Sequence, residues 1–448
     1  MTNKFRQSFG IIFLTLTPFI LGIDSGILTA FAQDSRQETN SDESEEDQQV
    51  LDQFSPNPLE STEPDPLLPN PPTLGDLLSE TQQENLAPEL DQLNEQALEL
   101  LEQGDAVEAF NLWTRELRLR RYFGFLPEIT ALQRVGLIAW NNNQRLYLQF
   151  LVERLEEILA TVKAEDTIDV ETVEALGTAF KETREKDSAI ETYQILLDYA
   201  RQQEDILREE QALNEIGQVY LNWLDYQPAA IIYEELLEIQ QQIKLLRISG
   251  LLPPAPTPDE NAEGEVITPP SEVQSLENLS FIYGQLGKPL RSIAAKERLV
   301  GYYLQLQNSQ PIPTLKLAIG LDYETLGLFQ QASQSYQEAY STAIAPNTQQ
   351  LASASEALER LAQLYRSQEQ NQAAIELYQA QLLIEQQAYN FYGMMNVYDN
   401  MGQVYFTIKA YQRALAAYQQ GLQIARQLRY REDHFVKRIE IVNRQIAP

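Results

Sequence analysis

The stretch Asn214–Leu236, NEIGQVYLNWLDYQPAAIIYEEL, has a near copy at Asp399–Gly421, DNMGQVYFTIKAYQRALAAYQQG. In the first, Gly217 is followed by Tyr220, Ala229 and Tyr233; in the second, Gly402 is followed by Tyr405, Ala414 and Tyr418. The same order of small and aromatic residues returns after Ala97 (Leu100, Ala109, Trp113), Gly177 (Phe180, Ala189, Tyr193), Gly320 (Tyr323, Ala332, Tyr336) and Ala362 (Tyr365, Ala374, Tyr378). Two copies are degenerate. Gly136 is followed by Leu148 and Val152 in the later slots, and Ser280 by Tyr283, Ser292 and Lys296. Between them, apolar residues recur at helical spacing and strand-like alternation is nearly absent.

The leading small residues, Ala97, Gly136, Gly177, Gly217, Ser280, Gly320, Ala362 and Gly402, are separated by 39, 41, 40, 63, 40, 42 and 40 residues. A steady period near 40 marks a repeat array. The long interval is one period plus an insertion, the proline-rich acidic run SGLLPPAPTPDENAEGEVITPPSE from Ser249. A larger side chain at Gly217 or Ala229 would push crossing helices apart. Tyr220 and Tyr233 are expected to fill the space between one helix pair and the next. Each pair then leaves an apolar face that only its neighbour covers, so the pairs are stable as a stack.

These residues resemble the tetratricopeptide repeat, in which a small residue and an aromatic on the first helix are followed by a small residue and an aromatic on the second. LGLFQQASQSY from Leu326 shows the turn, with Gly327, Phe329 and Ala332 at the family's offsets. The resemblance runs from about Leu86 to Arg431. The period exceeds the usual ~34 residues, which is similar to the longer repeats of kinesin light chain and related adaptors. It implies an all-α, right-handed superhelical solenoid of about eight helix pairs over residues 86–446, closed by an amphipathic capping helix from Glu432 to Ile446.

Composition narrows the function. The chain of 448 residues carries 65 acidic and 33 basic side chains, a formal charge of −32. That balance argues against nucleic acid, whose phosphates need a positive footprint. The absence of cysteine removes disulfides, thiolate metal sites and thiol catalysis. One histidine, His434, leaves little for a metal site or a general base. Neither a nucleophile–base pair nor a glycine-rich phosphate loop is present, so no catalytic residue, metal or other cofactor is expected.

The first residues read as a secretory signal. Lys4 and Arg6 precede an apolar run from Phe9 to Ile23, and Ala30-Phe31-Ala32 offers small residues for cleavage before Gln33. The rival, an uncleaved anchor, is opposed by Pro18, Asp24 and the short run. Residues 33–85, with SDESEEDQQ from Ser41 and SPNPLESTEPDPLLPNPP from Ser55, read as a disordered acidic linker, and residues 248–272 as a disordered insertion.

The resemblance implies that the first helices line a concave face receiving a protein or peptide partner. The family's groove offsets select Asn214, Gln218 and Asn222; Gln274 and Asn278, with Glu277; Glu359 and Gln363, with Glu356 and Arg366; and Asn396, Asn400 and Gln403, with Asp399. Side-chain amides suit a peptide backbone because each both donates and accepts. The bland alternative is a solvated solenoid face. The basic clamp by which chaperone-binding relatives hold a terminal carboxylate is replaced here by acidic and amide residues. Arg115, Arg118 and Arg121 form a candidate basic patch, and Arg426, Arg429, Arg431, Lys437, Arg438 and Arg444 a second. His434, lying in the second group, is expected to be exposed on the capping helix. The functional expectation is a protein-interaction scaffold or assembly factor in an exported compartment, periplasmic or extracellular, with peripheral association with a membrane complex as one setting. A cell-envelope or carbohydrate-binding protein is the alternative, which exposed tyrosines outside the repeat register would favour.

Overall fold

The computed structural model describes residues 57–61, 63–73, 75–165, 167–253 and 271–446. The signal read over residues 1–32, linker residues 33–56 and insertion residues 254–270 lie outside them. Eight helix pairs follow one another: α1 (Glu80–Glu102) with α2 (Ala106–Arg120), α3 (Phe125–Asn141) with α4 (Arg145–Ala164), α5 (Val170–Glu182) with α6 (Lys186–Gln202), and α7 (Ile206–Asn222) with α8 (Tyr226–Ile248). The second half comprises α9 (Ser271–Gln285) with α10 (Pro289–Gln305), α11 (Ile312–Thr325) with α12 (Phe329–Ala343), α13 (Leu351–Ser367) with α14 (Asn371–Gln387), and α15 (Phe391–Thr407) with α16 (Tyr411–Leu428). A single helix, α17 (Glu432–Ile446), ends the array. Each of the leading small residues falls on a first helix, from Ala97 on α1 to Gly402 on α15. The chain is an all-α helical repeat solenoid.

The turn inside every pair is the same. Seven residues after each small residue stands one with a left-handed backbone: Gly104, Asn143, Arg184, Leu224, Gly287, Gly327, Glu369 and Lys409, with φ between 56 and 90°. The next N–H reaches back to the carbonyl at the aromatic slot, as in Asp225 to Tyr220 (2.9 Å), Gln370 to Tyr365 (2.9 Å) and Ala410 to Tyr405 (2.8 Å). This six-to-one bond satisfies the last carbonyls of the first helix and aims the chain into the second.

The close approach expected at the glycines is real, but its partner differs. Tyr233 is fully buried and rests on Gly217 of its own pair, its ring 3.0 Å from where a Cβ would stand. Tyr193 lies likewise on Gly177 at 2.7 Å, and Tyr418 on Gly402 at 2.5 Å. Glycine therefore makes room for a ring inside the pair, not for a second backbone, and Tyr220 is only half-buried. In the degenerate second repeat the tyrosine is missing, and Gly136 instead accommodates Thr183, just past the end of α5, at 2.5 Å.

The disordered linker expected over residues 33–85 gives way, from Asn57 onward, to a packed strap. Asn57 donates to the Phe150 carbonyl at 2.9 Å, and its own Oδ1 accepts from the Leu59 N–H. Leu59, 1% exposed, joins the core of the first pairs, while Leu67, Leu68 and Leu78 cover Leu86, Leu90, Leu93 and Leu119. Proline and acid content suggested disorder, yet a few well-placed leucines bury enough apolar area to hold the segment. The insertion is also shorter at its edges: α8 reaches Ile248, Leu252 packs on the core, and α9 begins at Ser271.

Candidate functional site

The ten groove residues all lie on first helices. Asn214, Gln218 and Asn222 are on α7, Gln274 and Asn278 on α9, Glu359 and Gln363 on α13, and Asn396, Asn400 and Gln403 on α15. None is buried: Asn222, Gln274, Gln363 and Asn396 are exposed and the rest half-buried. Bonds also join successive first helices. Arg366 on α13 donates to Gln403 Oε1 on α15 at 3.3 and 3.4 Å, and Lys181 on α5 pairs with Glu215 on α7 at 2.6 Å. Gln363 is held to Glu359 at 3.1 Å, Gln274 to Asn278 at 3.4 Å, and Asn396 Oδ1 accepts from Arg431 at 3.2 Å. Among the described residues, the side chains of Asn214, Gln218, Asn222 and Asn400 make no hydrogen bond, and Asn222 is exposed while the other three are half-buried.

Two residues behave differently from expectation. Asp399 is 6% exposed, beneath α17, where its carboxylate meets His434 Nε2 at 3.0 Å and Arg431 at 3.5 Å. His434 is thus a clasp between α15 and α17. It is not a free surface residue, and Asp399 is withdrawn from the groove. Phe435 and Val442, both fully buried, complete the attachment of α17.

The first arginine patch is not a free surface either. Arg115 grips Asp65 with two bonds, Nε at 2.6 Å and a terminal nitrogen at 2.7 Å. Arg118 donates to the carbonyls of Ser61 (3.1 Å) and Glu63 (2.8 Å), and Arg121 to that of Leu59 (2.7 Å). Spaced about one turn apart along α2 and just past its end, Arg118 and Arg121 hold the backbone of the strap and Arg115 its Asp65 carboxylate. Burial pushes the Asp65 carboxyl up, but the Arg115 bonds, the Leu67 N–H and the charges of Arg115 and Arg118 outweigh it and hold it below the usual range.

Sequence reasoning missed two buried acids nearby. Glu116 receives Arg134 in a fork at 2.7 and 2.8 Å, and Glu128 receives Arg154 at 2.7 and 3.0 Å. A helical acid reads as solvent-facing; only the opposite arginines, 18 and 26 residues away, reveal otherwise.

A cavity of about 480 Å³ opens beside the groove, lined by Ser355, Glu356, Glu359, Arg360 and Gln363 of α13 and by Glu385, Ala388 and Asn390. Three of its residues were singled out by repeat offset alone. A larger hollow of about 830 Å³, between α12 and the end of α13, contains none of the groove residues.

The tetratricopeptide-repeat family model matches residues 353–427, which span α13 to α16 almost entirely. Residues 353–427 are thus similar to the tetratricopeptide repeat, and the same helix-pair geometry recurs through the other described pairs. No curated protein matches the sequence. Among solved structures, a putative kinesin light chain from Podosopora anserina with nearly identical repeats is 17% identical, covering 49% of this chain and 95% of its own, with a TM-score of 0.33. BtubC from P. vanneervenii is 17% identical over 55% of this chain and 92% of its own, with a TM-score of 0.35. The apo form of RapI is 12% identical over 80% and 98%, with a TM-score of 0.38.

Proposed function

We propose that the chain is an exported interaction scaffold whose first-helix groove grips an extended segment of a partner protein. The observation that carries this reading is the set of unbonded amides, Asn214, Gln218 and Asn222 about one turn apart on α7 and Asn400 on α15. A peptide backbone crossing them finds donors and acceptors in alternation. Each bond contributes about 0.5–1.5 kcal/mol net, so affinity accumulates over repeats and does not rest on one residue. The export half of the proposal rests on the basic, apolar and Ala30-Phe31-Ala32 segments, and peripheral docking to a membrane complex fits an assembly factor.

Affinity capture with the full chain from its own envelope extract, followed by mass spectrometry, identifies the partner. Asn214→Ala with Asn400→Ala is expected to weaken that partner's binding about 10-fold or more, at about 1 kcal/mol per lost bond, without changing thermal unfolding. Unchanged affinity rejects the groove. N-terminal sequencing of the exported protein is expected to begin at Gln33; a retained Met1 rejects cleavage.

One observation favours the second reading, a cell-envelope glycan as ligand. Tyr389, Tyr392 and Tyr430 lie outside the repeat register, 82, 53 and 49% exposed, and Tyr392 meets Tyr430 edge-on at 5.8 Å. Tyr392→Ala with Tyr430→Ala abolishing retention on isolated cell-wall material would support it; unchanged retention removes it.

A further inference from the structure

Four carboxylates among the described residues are buried: Glu116, Glu128, Asp399 and Glu385. Three have cations. Glu116 faces Arg134 and Arg120, Glu128 faces Arg154, and Asp399 faces His434 and Arg431. Glu385, 6% exposed, pairs with no cation among the described residues. Buried charge is costly unless paired, and the rest of this molecule obeys that rule.

The environment of Glu385 is built to keep the carboxylate in place. The Ser355 hydroxyl donates to Oε1 at 2.5 Å. Gln381 Nε2 donates to the same hydroxyl at 3.1 Å, which commits the single Ser355 proton to Glu385. The carboxylate lies against Gly393 in the first turn of α15; any Cβ there would collide with it. The positive end of that helix offsets part of the charge. Oε2 accepts no hydrogen bond among the described residues, and the side chain lines the cavity of about 480 Å³ together with Glu356, Glu359 and Arg360. Arg360 is 3.8 Å from Glu356, so the cavity keeps an excess of negative charge.

We propose that this cavity receives the ammonium or guanidinium of a lysine or arginine on the partner's peptide segment. The inference rests on the groove reading above and adds the chemical class of one anchor side chain. A metal ion fits less well: no group of three or more acidic or histidine side chains among the described residues is arranged to hold one. The chain's charge of −32 also favours a basic partner segment at long range.

The test uses the full chain and capped Gly/Ala hexapeptides carrying one central Lys, Arg, norleucine or Glu, with affinities measured by calorimetry at low salt. The Lys or Arg peptide is expected to bind at least 10-fold tighter than its norleucine twin. Glu385→Gln, which preserves the Ser355 bond, is expected to erase that difference while leaving the norleucine peptide unaffected. Glu359→Gln, at a half-exposed position that does not threaten folding, is expected to reduce it about threefold. Equal binding of the Lys and norleucine peptides, absence of binding by either, or a charge preference that survives both substitutions overturns the proposal. Failure of the groove itself looks different: the neutral peptide does not bind and Asn400→Ala changes nothing. Sensitivity of the neutral peptide to Asn400→Ala without any Lys preference leaves the groove intact and removes the cation site alone. Loss of Lys binding on adding millimolar calcium would mean a metal site, and would also overturn it.

Discussion

The ring of Tyr418 rests on Gly402, 2.5 Å from where a Cβ would stand, whereas the ring of Tyr233 leaves 3.0 Å over Gly217. Of these two packing units the one around Gly402 is therefore the tighter. Gly402→Ala is expected to overpack its pair and cost about 1–3 kcal/mol. At Gly217 the smaller clash is offset by the gain of about 0.8–1 kcal/mol in helix propensity, leaving Gly217→Ala near neutral. Hydrogen exchange resolved by helix pair checks this, since a repeat array need not unfold in one step. Equal responses at the two sites would contradict the geometry.

The hydroxyl of Tyr233 is buried without a hydrogen-bond partner, and burial raises the phenol to about 12; burial does the same to Tyr418, also to about 12. In the unfolded chain tyrosine ionises near its ordinary value of ~10. The folded value is the higher, so these groups contribute stability in full below pH ~10 and lose it as pH rises towards 12. Tyr233→Phe with Tyr418→Phe keeps both rings on their glycines. The double variant is expected to be no less stable at neutral pH and to unfold at higher alkaline pH than the parent. Tyrosinate absorbance and circular dichroism, followed together, decide it.

Leu224 holds φ at 61° in its turn, a conformation that costs a non-glycine residue about 1–2 kcal/mol, and its side chain is 65% exposed. Leu224→Gly is expected to raise the stability of the fourth pair by up to about 1 kcal/mol. The reverse substitution, Gly287→Leu, where φ is 61°, is expected to lower the fifth pair by about as much. Local amide protection measures both, and opposite signs are required.

The strap depends on the fork between Arg115 and Asp65. Asp65→Asn with Arg118→Ala is expected to free residues 57–73 for limited proteolysis while the helices survive. Because the folded Asp65 carboxyl ionises below its ordinary value near ~4, its contribution is present above that pH and lost as pH falls through the lower folded value. Amide exchange at Leu59 and Leu67 is expected to accelerate in that acidic window. Strap protection unchanged in the double variant would mean that Leu59 burial alone suffices.

The pair register was legible because it reflects one steric problem solved repeatedly: a ring needs a small residue opposite it, and both types stand out in a helix. The turn was legible only at Gly104, Gly287 and Gly327. At Asn143, Arg184, Leu224, Glu369 and Lys409 the left-handed residue carries a side chain, so no glycine announces it. That the proposed groove positions fall on first helices followed from helical offsets, but their bonding did not, because Arg366 and Gln403 meet from separate repeats. The strap escaped notice for a related reason. Its composition is that of a disordered tail, and the partners that order it lie 50 to 96 residues downstream.

That separation bears on how the protein is made. Most other contacts join a helix to the next one or two along the chain, so pairs can form one by one as they leave the ribosome. Asn57 emerges 93 residues ahead of Phe150, its acceptor, so the strap cannot complete its bonds until α4 has been synthesised. The strap therefore docks late although it is made early, closing a long loop against an entropy cost that grows only slowly with length. The first two pairs lock together in that step through a segment remote in sequence, whereas α17 is clasped to the pair just before it through Asp399 and His434.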